Sequence, residues 1–135
     1  MTEQVPHILV NEHTRVNLKG LRLERIIRGD PSSNHGWGEE YGFENRPDVP
    51  HDNEVATSCY RGYVATFRLR TNGTLHLTRY TYWPDGKETS VTVKEQLSGD
   101  FWMVMTREFF GPRTYVPFHV GEIVEDRAVW RDTES

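Results

Sequence analysis

Two alternating runs meet at a glycine turn, and this limits the architecture more than anything else in the chain. Tyr63-Val64-Ala65-Thr66-Phe67-Arg68-Leu69-Arg70 leads into Thr71-Asn72-Gly73, and Thr74-Leu75-His76-Leu77-Thr78-Arg79-Tyr80-Thr81-Tyr82 follows. Apolar residues at every second position suit half-buried strands, and the short glycine-containing spacer joins them as a hairpin. A two-residue turn at Asn72-Gly73 would set Leu69 against His76 and Arg70 against Leu75, mixing apolar and polar groups on both faces. A three-residue loop from Thr71 to Gly73, with Gly73 left-handed at a bulge, sets Leu69 against Leu75 and Phe67 against Leu77. One face then reads Ala65, Phe67, Leu69, Leu75, Leu77. In this register Arg68, Arg70, Tyr80 and Tyr82 lie on the opposite face, and Arg79 falls at the far end of the apolar one. The same turn geometry fits Pro84-Asp85-Gly86, which extends the apolar face into a third strand with Val91 opposite Arg79 and Val93 opposite Leu77.

The rest of the chain continues the β pattern. Thirteen Val, thirteen Thr, six Phe, six Tyr and four Trp favour pleated surfaces, and only three Ala are present to favour helix. Phe101-Trp102-Met103-Val104-Met105 is apolar at consecutive positions, the signature of a strand covered on both faces. Tyr115-Val116-Pro117-Phe118 suggests an edge strand because Pro117 lacks a ladder donor, and Glu122 to Trp130 suits a last strand or short hairpin. Ile8-Leu9-Val10 and Leu21 to Ile27 are two further strand candidates, with a helix over 21–28 as the weaker alternative. The expected fold is all-β, an antiparallel meander forming a sandwich or partly open barrel in one domain over 1–135. A long irregular loop over 29–53 is rich in Gly and Pro and carries Trp37, Tyr41 and Phe43 within seven residues.

Charge and cysteine content narrow the function classes. Twenty acidic and sixteen basic residues give a formal charge of -4, so no general attraction to nucleic acid or anionic lipid is expected. Cys59 stands alone and cannot form an internal disulfide, which fits a reducing cytoplasm. No apolar run approaches the length of a membrane span, and no N-terminal stretch resembles a signal peptide.

Cys59-Tyr60-Arg61-Gly62-Tyr63-Val64-Ala65-Thr66-Phe67, followed by the Gly-turn hairpin with Leu75 and Leu77, resembles the R-G-Y-x-A-T-W signature of small, uncharacterised bacterial β proteins. Phe67 stands where that family often has Trp. The resemblance covers about a quarter of the chain, implies a bacterial, cytoplasmic β-sheet domain, and carries no activity to any residue. Some small orphan domains of this kind serve as immunity partners of bacterial toxins, an analogy of size and context.

Catalytic patterns are weak. His35 and His51, with Asp52, Glu39, Glu40 and Glu44, lie in or beside the long loop, but no two histidines have the close spacing of readable zinc sites. Cys59 would need a base, and His51 with Asp52 is the nearest combination; a buried structural thiol is the simpler reading. Gly36-Trp37-Gly38 lacks the lysine and the second half of a phosphate-binding loop, and the carboxylate pairs Glu39-Glu40 and Glu125-Asp126 read as solvated loop charges. No metal or cofactor is expected. Arginine is more informative: thirteen of sixteen basic residues are Arg, and Arg68 and Arg70 with Tyr80 and Tyr82 offer forks and rings suited to carboxylate, phosphate or protein contact.

The leading expectation is a non-enzymatic protein-recognition domain, with an immunity or antitoxin role as its most specific form. Its contact element is the aromatic acidic segment His35–Glu44, through Trp37, Glu39, Glu40, Tyr41, Phe43 and Glu44. The alternative is a small-ligand-binding or catalytic barrel whose pocket is lined by His76, Arg79, Tyr80 and Tyr82. A third option is dimerisation through an exposed edge such as 115–118. Neither a membrane nor a nucleic-acid partner is expected.

Overall fold

The loop after Leu69 has the geometry that the hairpin pattern demands. Gly73 takes φ 87°, its N–H donates to Arg70 O at 2.9 Å, and Arg70 N–H donates to Thr74 O at 2.9 Å. Leu69 pairs with Leu75 and Phe67 with Leu77, as the three-residue loop predicts. These pairs sit in a computed structural model that describes residues 6–28, 39–43, 63–83, 87–108, 112–125 and the backbone of 130–131. Most of the long segment 29–53 lies outside these residues, as do Cys59 and the Pro84-Asp85-Gly86 turn.

Ten strands are present, with no α-helix among the described residues: β1 (Ile8–Asn11), β2 (Arg22–Arg28), β3 (Glu39–Glu40), β4 (Tyr63–Leu69), β5 (Leu75–Tyr82), β6 (Thr89–Gln96), β7 (Phe101–Thr106), β8 (Arg113–His119), β9 (Glu122–Ile123) and β10 (Trp130–Arg131). They form a four-stranded sheet ordered β1-β4-β5-β6 and a six-stranded sheet ordered β10-β8-β7-β2-β3, with β9 also on β8. The sheets share one core and do not close into a barrel: Phe67, Leu69, Leu75, Leu77 and Tyr80 from one meet Leu23, Ile26, Phe101, Met103, Val116 and Phe118 from the other. Fully burying one such apolar side chain contributes about 1.5–3 kcal/mol. Two isolated bridges join the sheets at their corners, His7 to Leu23 and Thr74 to Glu122.

Four features depart from the sequence reading. The sheet is not wholly antiparallel, because β1 runs parallel to β4; no hairpin links them, so nothing forces opposite directions. The register of β4 on β5 shifts between Thr66 and Phe67, leaving Thr78 as an extra residue on β5. A one-residue bulge exchanges faces for everything beyond it. Tyr80 therefore turns into the core at 1% exposure, and Arg79 turns out. Across to β6, Leu77 faces Glu95 and Arg79 faces Thr92, rather than Val93 and Val91. Lastly, β8 is not an edge: β9 pairs with Phe118 and His119, and β10 with Thr114 and Tyr115. Pro117 accepts from Val124 N–H on that side, so its missing donor falls between the two short strands.

The central position of β7 matches its unbroken apolar run. Phe101, Met103 and Met105 face the shared core, while Val104 on the other face joins Ile27 and Tyr115 in a second buried cluster flanked by Trp102. Between β1 and β2, Asn11 and Asn17 side chains accept the N–H groups of His13 and Lys19, two local turns that let Val16 and Leu18 plug one end of the core.

Candidate functional site

Alternation, a bulge and a parallel edge strand together decide what the outer face of the four-stranded sheet presents. Pairing places Ile8 beside Thr66 and Val10 beside Arg68, so two apolar side chains, 51% and 41% exposed, border the arginines of β4. His76 pairs with Gln96, Arg79 with Thr92 and Thr81 with Ser90, which continues the face across β5 and β6. Threonine hydroxyls are tied locally: Thr78 donates to Thr66 O at 3.1 Å, and Thr81 and Ser90 oxygens lie 3.2 Å apart. Arg68 Nε is 3.5 Å from Glu12 Oε1. Arg70, Arg79 and Lys94 take part in no ion pair among the described residues, so the face is cationic in an otherwise acidic protein.

His76 lies within that face. Thr74 Oγ1 donates to Asn72 Oδ1 at 2.7 Å, so His76 Nε2, 3.0 Å from the same hydroxyl, donates to it. Burial, and then the neighbouring Arg70 charge, hold the imidazole below the ordinary histidine range. Its neutral form is thus favoured beside the Arg70 guanidinium, while Arg68, directly opposite on β4, is engaged by Glu12.

A second cluster sits where the hairpin tip meets the other sheet. His13 is 1% exposed, with Nδ1 3.1 Å from Thr71 O and Nε2 3.0 Å from Glu125 Oε1; Arg15 Nη2 reaches the same oxygen at 2.9 Å. Nδ1 hydrogen-bonds to the Thr71 carbonyl, while Nε2 sits against the Glu125 carboxylate as a close polar contact without hydrogen-bond alignment. Neither nitrogen is left to face a substrate, and the side chain works as a tie between the 12–21 loop, the hairpin and the chain after β9. Open depressions flank this tie, one of about 380 Å³ lined by His13, Asn11, Val16 and Leu18, the other of about 520 Å³ lined by Glu125, Glu122, Ile123 and His119.

The residues expected to form a site are dispersed. Glu39 and Glu40 are exposed on β3, paired with Arg28 and Ile27. Tyr41 is 5% exposed: its ring meets Phe101 edge-on at 5.5 Å, the Arg28 guanidinium lies 4.2 Å above it, and its hydroxyl accepts Ser98 N–H at 2.9 Å. Phe43 packs on the core beside Phe67. These two rings serve the fold, while Trp37 and Glu44 lie outside the described residues. The second expected set does not converge either: Tyr80 points into the core, Tyr82 packs against it, and Arg79 and His76 face outward. Neither depression is lined by any of the four. The aromatic partners expected for Arg68 and Arg70 are thus replaced by Ile8 and Val10. The change of apolar spacing from two to three between Leu77 and Tyr80 was the sequence signal for it.

Among the described residues no three His, Cys, Asp or Glu side chains are grouped to hold a metal ion, and no helix is long and apolar enough to cross a membrane. His35, His51 and Asp52 lie outside them. Comparison with protein-family models, curated proteins and solved structures finds no match, so the site is read from its own chemistry.

Proposed function

We propose that the chain is a non-enzymatic protein-recognition domain that meets an acidic partner surface with the outer face of its four-stranded sheet. The observation that carries this reading is the set of cations with no ion pair among the described residues, Arg70, Arg79 and Lys94, arrayed with Arg68 on a β surface bordered by exposed Ile8 and Val10. Guanidinium forks match carboxylates, and a small apolar margin adds contact area. A nucleic-acid partner fits less well: the rings that would stack on bases are turned inward, and the net charge is negative. The acidic pair Glu39 and Glu40 offers a separate contact of opposite sign on the other sheet.

Neutralisation of a bacterial toxin is the narrowest form of this reading, supported by small size and β architecture alone. Its test is co-expression with the protein encoded next to it, followed by calorimetric titration of the purified pair. Wild type should bind, and the Arg68→Glu/Arg70→Glu/Arg79→Glu variant should bind roughly a hundredfold more weakly with unchanged melting temperature. Equal binding would put the contact elsewhere. No binding by wild type would remove the immunity form.

A further inference from the structure

The free edge of the four-stranded sheet is complementary to itself. β6 has a strand partner on one side only among the described residues, and it is eight residues long, without proline, and largely exposed. An edge of that kind is an open template of N–H and C=O groups for another strand. With the preceding two residues it reads Lys87-Glu88-Thr89-Ser90-Val91-Thr92-Val93-Lys94-Glu95-Gln96. Laid antiparallel against a second copy about a two-fold axis at Val91, this segment sets Lys94 opposite Glu88 and Glu88 opposite Lys94. Ser90 then meets Thr92, and Lys87 lies across from Glu95. Val91, 41% exposed in the single chain, meets its own copy.

The charges also reject the neighbouring registers. A slip of one residue in one direction opposes Lys94 to Lys87, and in the other direction opposes Glu95 to Glu88. Opposite charges across a strand pair stabilise it, and like charges destabilise it. Lysine on an edge ordinarily repels foreign strands; combined with Glu88 at the mirrored position it admits this strand and few others. Lys87, Glu88 and Lys94 make no ion pair within the described chain and are exposed, so the two pairs of Lys94 with Glu88 displace none.

We infer that two copies associate through β6, merging their four-stranded sheets into one eight-stranded sheet with isologous symmetry. The two arginine faces then form one continuous surface of doubled length, in which Arg68, Arg70 and Arg79 of each copy remain for a partner and Lys94 is engaged at the seam. A single strand seam is small, so the association is concentration-dependent.

The test is sedimentation equilibrium of the full chain over a concentration series, with two charge-reversed variants. Wild type should pass from monomer to dimer. Lys94→Glu alone and Glu88→Lys alone each place like charges at both symmetric positions, and each should dimerise at least roughly tenfold more weakly. An equimolar mixture of the two variants restores opposite charges at both positions and should form heterodimers as readily as wild type. A wild-type chain that stays monomeric at every concentration overturns the inference and leaves the edge to a partner of another kind. A dimer indifferent to either reversal, or a mixture that fails to recover, overturns it as well.

Discussion

Met103 and Val104 are neighbours on β7, point to opposite faces, and are both fully inaccessible. Leu77 and Arg79 on β5 also point to opposite faces, yet only the first is inaccessible. The six-stranded sheet thus packs both faces, with clusters around Met103 and around Val104, whereas the four-stranded sheet packs one face and leaves the other largely open beyond the buried Val64 at the start of β4. The spare face holds cations instead of a second apolar layer. Strand composition follows this division, since an unbroken apolar run serves a doubly covered strand and alternation serves a half-covered one. A surface that contributes little to stability is free to carry recognition.

The contrast breaks most sharply at Val104. Val104→Asp buries a carboxylate in the second cluster, where even its cross-strand neighbour Arg25 must be desolvated to meet it, and should cost more than about 3 kcal/mol, whereas Thr92→Asp on the open face should stay within about 0.5 kcal/mol. Urea unfolding of both reads the difference, and comparable losses would erase the distinction between the faces. Next is Gly73→Ala at the hairpin tip. The residue sits at φ 87°, and a Cβ there would come within 3.0 Å of Ile123 Cγ2, so a loss of about 1–3 kcal/mol is expected by the same measurement. An unchanged midpoint would mean that the tip yields freely. Tyr41→Phe removes the acceptor for Ser98 N–H while keeping the ring, for about 1 kcal/mol; a loss as large as that of Tyr41→Ala would show that the hydroxyl, not the ring, holds the segment.

The smallest expected effect is a pH dependence on the open face. His76 is held below the ordinary histidine range by burial and then by Arg70, so the unfolded chain takes up this proton at a higher pH than the native one. Its stabilisation is complete above the ordinary value of about 6.5 and declines as pH falls through the native one. Asp100, held low first by Val120 N–H and then by His119, adds a decline of the same sign in the carboxylate range. His76→Gln should flatten the first decline in urea midpoints measured from pH 7.5 downward. A variant as steep as wild type would assign that slope to other groups.

The hairpin register, the buried run at 101–105 and the all-β class were legible because each depends on local chemistry: a glycine at a left-handed turn, unbroken hydrophobicity, a shortage of alanine. The bulge at Thr78 is marked in the sequence only by the change of parity from Leu75 and Leu77 to Tyr80 and Tyr82, which uninterrupted alternation does not anticipate. That one residue reassigned Arg79, Tyr80 and Tyr82. The parallel seating of β1 escaped because it is a pairing between distant segments with no hairpin to announce it. His13 was missed for a related reason: its partners Thr71 and Glu125 come together only when the two sheets meet.

That parallel strand also has a kinetic consequence. His7 meets Ala65 across 58 positions, whereas β4 and β5 are brought together by three. Ring-closure entropy grows with the span, so the central hairpin zips early and β1 arrives late. Until it does, the far side of β4 is bare, and a newly made chain is most prone to clump during that interval.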